Sequence, residues 1–251
     1  MKNRRELKKE AKGLLRGHWG KAIGLNILQI VPLVLGLLFV GGMVAVISQA
    51  AANGYLGNFP HDFNAGIESG GNYFGNIFAA LLQTLLMVGV NYTILDWLRT
   101  RDSNFSVVRG IFAAFTRRDF LSVVVLWIIQ TLFIFFWSLL FVIPGIIKRY
   151  SYSQTYYIYK DIADHGGDDD LNYLDYVTKS RQLMSGHKFE LFVLQLSFLG
   201  WDILALLTLG IGEIWLIPYK NTTYMAYYRA LAGSQYDPDS SDTPDDAYFE
   251  A

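Results

Sequence analysis

The sequence contains no cysteine, which excludes a disulfide framework, a zinc knuckle and a thiol nucleophile. Charge is also scarce. Charged residues make up 17% of the 251, against about 25% in ordinary soluble domains. The net charge of −1 leaves no global field to recruit nucleic acid. Lysine and arginine are missing from the whole stretch 48–73. The chain also lacks a phosphate-binding glycine loop, a nucleophile–base arrangement and paired catalytic acids. The expectation is therefore a non-enzymatic protein with no cofactor and no metal site.

Apolar residues are what the chain has in excess, at 52%, and they lie in long blocks. About 20 such residues cross the hydrocarbon of a bilayer as a helix. The run from Ala22 to Ile47 holds no charge, and it is far longer than the ~7–15 residues of a signal-peptide core. A second run, Phe74 to Leu98, has Asp96 near its end. The block Phe120 to Ile147 is too long for one span and is punctuated by Pro144-Gly145. A fourth segment, Leu139 to Tyr159, carries Lys148 and Arg149. The fifth, Phe189 to Leu207, carries Asp202. The sixth, Ile211 to Leu231, carries Glu213, Pro218 and Lys220. The pattern predicts an all-α polytopic membrane protein, with six transmembrane helices paired as three hairpins. Tight outer turns are expected near Phe136-Trp137-Ser138 and Thr208-Leu209-Gly210.

Lysine and arginine in short connections mark the cytoplasmic side. Residues 1–21 carry eight of them, from Lys2 to Lys21, and the segments 99–118 and 160–188 are also basic. The Lys/Arg-free loop 48–73 is then external. An even number of spans places both termini in the cytoplasm. Residues 1–235 read as one membrane domain. Residues 236–251 carry Asp237, Asp239, Asp242, Asp245, Asp246 and Glu250, and read as an acidic, disordered cytoplasmic tail.

The chain repeats itself, which constrains its architecture. Leu14-Leu15-Arg16-Gly17-His18-Trp19 resembles Leu183-Met184-Ser185-Gly186-His187-Lys188, and each precedes an apolar span. Phe115-Thr116-Arg117-Arg118-Asp119-Phe120 holds the middle place without the Gly-His pair. Asn91-Tyr92-Thr93 recurs as Asn221-Thr222-Thr223, followed at equal spacing by Arg99 and Arg229. Three units follow, approximately 4–99, 105–161 and 173–231. Each opens with a cytoplasmic amphipathic segment, exemplified by Leu7, Ala11, Leu14 and Leu15 at helical spacing among basic residues. Such a helix lies in the membrane interface and is drawn to anionic phospholipid.

Charges inside a span are costly and need a reason. Lys220, Tyr224, Tyr227 and Tyr228 share one helical face, and Lys148, Tyr152, Thr155 and Tyr156 repeat that spacing. Lys148, Tyr152, Tyr156, Asp202, Lys220, Asn221, Tyr224 and Tyr227 are therefore a candidate polar seam. It is either a cavity or a set of contacts between packed helices, and Pro144 and Pro218 are expected to kink its walls. His18, Trp19 and His187 are candidate interface residues. Each histidine stands alone beside a glycine, without a second ligand at metal spacing.

The motifs Leu183-Met184-Ser185-Gly186-His187-Lys188-Phe189-Glu190-Leu191-Phe192, Leu199-Gly200-Trp201-Asp202-Ile203-Leu204, Leu209-Gly210-Ile211-Gly212 and Ile217-Pro218-Tyr219 resemble the DUF975 family. Ile143-Pro144-Gly145-Ile146-Ile147-Lys148 with Tyr150-Ser151-Tyr152 fits its middle motif, and Gly17-His18-Trp19 its start. The resemblance covers nearly the whole chain except loop 48–73 and the acidic tail. It implies an integral protein of the bacterial cell membrane, found chiefly in Gram-positive bacteria, with no established activity. The family is distantly similar to the membrane domain of some glycerophosphodiester phosphodiesterases, which hints at lipid-linked roles. The expected function is non-enzymatic binding of lipid or a small amphiphile in the cell envelope. The alternatives are a transporter or channel-like pore along the polar seam, and an accessory subunit of another membrane protein. The expected partner is the bilayer itself, with anionic phospholipid and without nucleic acid. No protein partner is readable.

Overall fold

A computed structural model describes residues 3–53, 73–166 and 171–233. Most of the Lys/Arg-free loop, at 54–72, and the acidic tail fall outside these residues. Among the described residues every regular element is helical. In chain order they are α1 (Arg4–Leu15), α2 (Trp19–Ala52), α3 (Tyr73–Thr100), α4 (Val107–Ile111), a 3-10 turn (Ala113–Phe115), α5 (Arg117–Leu140), α6 (Val142–Tyr152), α7 (Thr155–Asp164), α8 (Tyr173–Leu183), α9 (Lys188–Leu196), α10 (Leu199–Leu207) and α11 (Glu213–Ala232).

The three amphipathic segments begin with side-chain caps. The Asn3 amide N–H donates to Glu6 at 2.7 Å, and Asn172 N–H donates to Asp175 at 2.9 Å, in two reciprocal capping boxes. Ser106 accepts from the Arg109 N–H. These contacts satisfy N–H groups that a helix start leaves open. The repeated Gly-His pairs have a single backbone cause. Gly17 at φ +81° and Gly186 at φ +84° turn the chain through the left-handed region after α1 and α8. His18 and His187 then occupy the cap positions of α2 and α9.

Each amphipathic segment packs on the returning arm of a hairpin. α1 lies on α11, α4 and the 3-10 turn lie on α3, and α8 lies on α6 and α7. Leu7, Ala11, Leu14 and Leu15 of α1 are buried. The apolar stripe expected to meet lipid therefore meets protein, because α11 offers a closer apolar surface. The 105–117 segment departs further from expectation. It forms a five-residue helix and a 3-10 turn, with Ile111 and Ala114 buried and Val108 and Phe112 exposed. Its backbone reaches α3 so closely that a Cβ on Gly89 would stand 2.6 Å from the Ile111 carbonyl oxygen. Thr93 Oγ1 donates to Gly110 O at 3.1 Å beside this contact.

Six spans are expected from the sequence. By length and composition, three helices among the described residues are fit to cross a membrane: Gly75–Thr100, Arg118–Leu140 and Lys188–Leu207. Of the other three expected spans, the first falls on α2, whose side chains are described only in part, and the remaining two are the second and third returning arms. The second breaks at Phe141, an extended residue, and again at Ser153-Gln154, which leaves α6 with 11 residues and α7 with 10. The turn comes later than the expected Phe136-Trp137-Ser138. Pro144 lies in the first turn of α6, where its missing N–H costs nothing, so it does not kink the arm. The third arm, α11, carries Glu213, Lys220 and Arg229 within 20 residues. A turn falls at Thr208-Leu209-Gly210, with Leu209 and Gly210 both at positive φ.

Gly89→Ala forces a methyl group into the Ile111 backbone. The expected loss is about 1–3 kcal/mol of stability, read as a lower midpoint of thermal unfolding in detergent, while Gly20→Ala, with open space around its Cβ, stays near wild type.

Candidate functional site

Two polar assemblies and one apolar groove are available for function. The first assembly is a hub where the ends of the three returning arms meet. Arg99 of α3 grips Asp161 of α7 with two parallel bonds, Nη1–Oδ1 at 2.7 Å and Nη2–Oδ2 at 2.8 Å. Tyr228 of α11 donates its hydroxyl to the same carboxylate at 2.6 Å, and Asp161 is fully buried. Arg229 donates to Leu98 O at 2.9 Å and pairs with the buried Glu10 of α1, which Arg101 also reaches at 3.3 Å. Beside the hub, Lys160 joins Asp96 at 2.8 Å and Asp164 at 2.5 Å, and Arg118 joins Asp164 at 2.6 Å. Burial pushes the Asp164 carboxyl upward, but Lys160 and Arg118 outweigh it and hold the group below the ordinary carboxylate range. These are structural bonds: each charge is matched and hydrogen-bonded, as burial requires.

The second assembly lies on the third hairpin and collects part of the expected seam. Lys220 Nζ sits 2.5 Å from Asp202 Oδ1 and 3.5 Å from Glu213 Oε2. The Asn221 amide donates to Asn26 Oδ1 at 2.6 Å and to Gln29 Oε1 at 3.2 Å. Tyr224 stands edge-on to Phe198 with ring centres 6.0 Å apart. Tyr227 is buried and donates to His187 O at 3.0 Å.

The other seam residues are elsewhere. Lys148 lies 4.2 Å over the Trp137 ring. Tyr152 is buried against Phe133. Tyr156 offers its carbonyl to the Tyr92 hydroxyl at 2.9 Å. The structure thus brings Asp202, Lys220, Asn221 and Tyr224 near one another and leaves Lys148, Tyr152 and Tyr156 apart from them. The break at Ser153-Gln154 separates Tyr156 from Lys148 and Tyr152. The i, i+4, i+7, i+8 face requires one uninterrupted helix, and here it is divided between α6 and α7.

His18 meets Trp97 edge-on at 5.9 Å, and its Nδ1 is 3.2 Å from Arg16 O. His187 Nδ1 is 3.1 Å from Glu190. Among the described residues no group of histidine, aspartate and glutamate is arranged to hold a metal ion.

The groove was not legible in the sequence. It has a volume of about 520 Å³ and lies between α1, the start of α2, α10 and α11. Trp201, Leu204, Trp215, Leu216 and Tyr219 form apolar walls, and Lys8 and Lys12 stand at one end. Lys8 donates to Ser197 O at 3.2 Å and lies 4.1 Å over the Phe198 ring. Burial, and secondarily the charge of Arg4, holds the Lys8 ammonium below its ordinary pKa. The α10 wall of the groove runs from Trp201 to Thr208, about seven residues or ~10 Å of helix rise, within the ~15 Å of one leaflet of the hydrocarbon core. A signal was present in the sequence. Lys8 and Lys12 fall on one face of α1, and Trp215 and Tyr219 on one face of α11, but only docking of α1 brings the faces together. A second hollow of about 470 Å³ is lined by Asp96, Asp102 and Arg109. Its mixed charges fit an apolar ligand less well.

The model of a family described as a protein of unknown function, DUF975, matches residues 1–148 and 139–235. No curated protein and no solved structure matches the chain.

Asp161→Ala removes the buried carboxylate that accepts from both Arg99 and Tyr228. The expected cost is about 3–5 kcal/mol, seen as loss of a monodisperse folded species in detergent at 37 °C. Asp164 contributes stability that is present above the ordinary carboxylate range and is lost as pH falls through its lowered value. Unfolding midpoints measured against pH should therefore fall on the acid side, and Asp164→Asn should flatten that limb.

Proposed function

The chain belongs to the DUF975 family, and from that premise we propose that it is a multi-pass protein of the bacterial cell membrane that binds an anionic phospholipid without chemically altering it. The observation that carries this reading is the α1–α10–α11 groove, whose tryptophan-lined apolar walls end at a pair of lysines. Acyl chains fit the tryptophan-lined length, where burying apolar surface is favourable by about 25 cal/mol per Å². A phosphate at the Lys8–Lys12 end answers an ammonium that is partly desolvated and has a basic neighbour. The groove end at α1 lies on the basic side of the molecule, expected to be cytoplasmic together with both termini, so the lipid would come from the inner leaflet.

The packing order of the amphipathic segments supports a single membrane domain over residues 1–235 built from three related parts. The first amphipathic segment docks on the third returning arm, the second on the first, and the third on the second. That cyclic order is what three repeats around an axis normal to the membrane produce. A transporter reading would rest on Asp202, Lys220 and Glu213, but these charges are paired with one another. An accessory-subunit reading would rest on the exposed Val108 and Phe112 of the second amphipathic segment, since Leu7, Ala11, Leu14 and Leu15 of α1 are buried.

Native mass spectrometry of the detergent-solubilised protein tests the proposal. Phosphatidylglycerol is expected to be retained in preference to phosphatidylcholine. Replacing both Lys8 and Lys12 with glutamine should weaken retention about tenfold or more, as loss of two phosphate contacts predicts. Trp215→Ala should weaken both lipids alike. Equal retention of the two lipids by the unaltered protein would refute the reading.

A further inference from the structure

The first hairpin is built to a different length from the other two. α2 has 34 residues and α3 has 28, which are about 51 and 42 Å of rise and exceed a ~30 Å hydrocarbon core. In the other two hairpins α5 has 24 residues and α11 has 20, about 36 and 30 Å, and the lower turns of both are taken up by the hub, where Arg118 and Arg229 are paired.

Burial follows the same division. Among the described side chains of α2, Leu25 and Ile30 are buried, whereas Val44, Val46 and Ile47 are exposed, as are Ile77 and Phe78 on α3. Asn221 marks a common level, because it bonds Asn26 and Gln29 of α2. From there α11 rises only to Glu213, about 12 Å, while α2 continues to Ala52, about 34 Å. The first hairpin therefore stands about 20 Å above the tip of the third. In those upper turns the described side chains Val44, Val46, Ile47, Ile77 and Phe78 are apolar and exposed.

We propose that the second and third hairpins enter the bilayer from the basic side, turn inside the hydrocarbon and leave on the same side, so that only the first hairpin crosses. Were their tips at the far surface, the top of the first hairpin would hold apolar side chains in water. With the tips near the mid-plane, those side chains face the lipid of the far leaflet.

The tips themselves have the chemistry of a buried turn. Residues 139–143 and 206–211 carry no charge, and Ile143 and Leu207 are 71% and 76% exposed. Backbone polar groups in hydrocarbon must be satisfied internally. The N–H groups of Leu209, Gly210, Ile211 and Glu213 donate to carbonyls within the turn at 2.9–3.2 Å, and Gly212 N–H donates to Thr208 Oγ1 at 3.0 Å. Phe141 N–H donates to Trp137 O, and Pro144 has no N–H to satisfy.

Charge placement agrees. Lys148, Asp202 and Lys220 lie five to seven residues from their helix ends at the tips, about 8–10 Å. A tip at the mid-plane, ~15 Å deep, puts them within roughly 5–7 Å of the basic-side boundary, where side chains snorkel to water. Lys148 is within electrostatic reach of Arg181 and Lys188, residues of that side. α5 is longer, but its first turns belong to the hub layer. Arg118 binds Asp164 there, Ser122 meets Tyr173, and Leu126 is buried. From Leu126 to Leu140 about 21 Å remain.

The absence of cysteine makes the test clean. Single variants Asn53→Cys, Asn104→Cys, Leu139→Cys and Leu207→Cys of the full chain are placed in sealed vesicles and treated from either side with a membrane-impermeant maleimide. Asn53→Cys and Asn104→Cys should react from opposite sides. Leu139→Cys and Leu207→Cys should react from neither, and a spin label attached to them in detergent before reconstitution should meet dissolved oxygen more than a water-soluble nickel chelate. Reaction of either tip variant from either side overturns the proposal, as does reaction of Asn53→Cys and Asn104→Cys from the same side. The outcome does not depend on what occupies the groove.

Discussion

One buried carboxylate holds the returning arms together. Asp161 has no exposure to solvent and accepts two bonds from Arg99 and one from Tyr228. These donors come from the first and third hairpins, and the acceptor from the second. A lone carboxylate in such a place would be strongly disfavoured, and the bidentate guanidinium is what makes it tolerable. The consequence is geometric as much as energetic. Planar two-point bonding fixes the rotation of α7 against α3, and the Tyr228 hydroxyl fixes α11 against both. A greasy contact at the same place would fix neither, since apolar packing alone is satisfied by many rotations.

The amphipathic segments extend that constraint outward. Glu10 carries α1 into the hub through Arg229 and Arg101, and its neighbours Leu7, Ala11 and Leu14 are thereby laid on α11. Because α1 is held there, Lys8 and Lys12 stand at the end of the tryptophan-lined groove. The candidate lipid site is thus a by-product of the hub. Its cationic end and its apolar wall lie far apart in the chain and meet only because Glu10 finds Arg229. Gly89 makes the analogous approach of α4 to α3 possible by having no side chain to interpose.

Several parts of this architecture are legible in the amino-acid sequence. Helical class follows from block length and hydropathy, and the Gly-His pairs announce chain reversals because only glycine enters the left-handed region without strain. The turn at Thr208-Leu209-Gly210 is readable for the same reason. The seam is misplaced in a sequence reading because helical periodicity is a statement about one continuous helix. Ser153-Gln154 interrupts it with no proline or glycine to mark the place. The α1 stripe of Leu7, Ala11, Leu14 and Leu15 is legible but its partner is not, because an apolar face does not reveal what will cover it, and the 105–117 stripe is divided by a short helix and a 3-10 turn.

The sequence by itself determined the helical class, the long apolar blocks, the absence of thiol chemistry and the segregation of basic residues to one set of connections, since each depends on composition and local spacing. Only the tertiary structure decided which charges neutralise one another, how far each hairpin reaches, and where lysine meets tryptophan. Those outcomes depend on contacts between residues distant in the chain. Pairing of buried charge is a property of distance in space, and no local pattern encodes it.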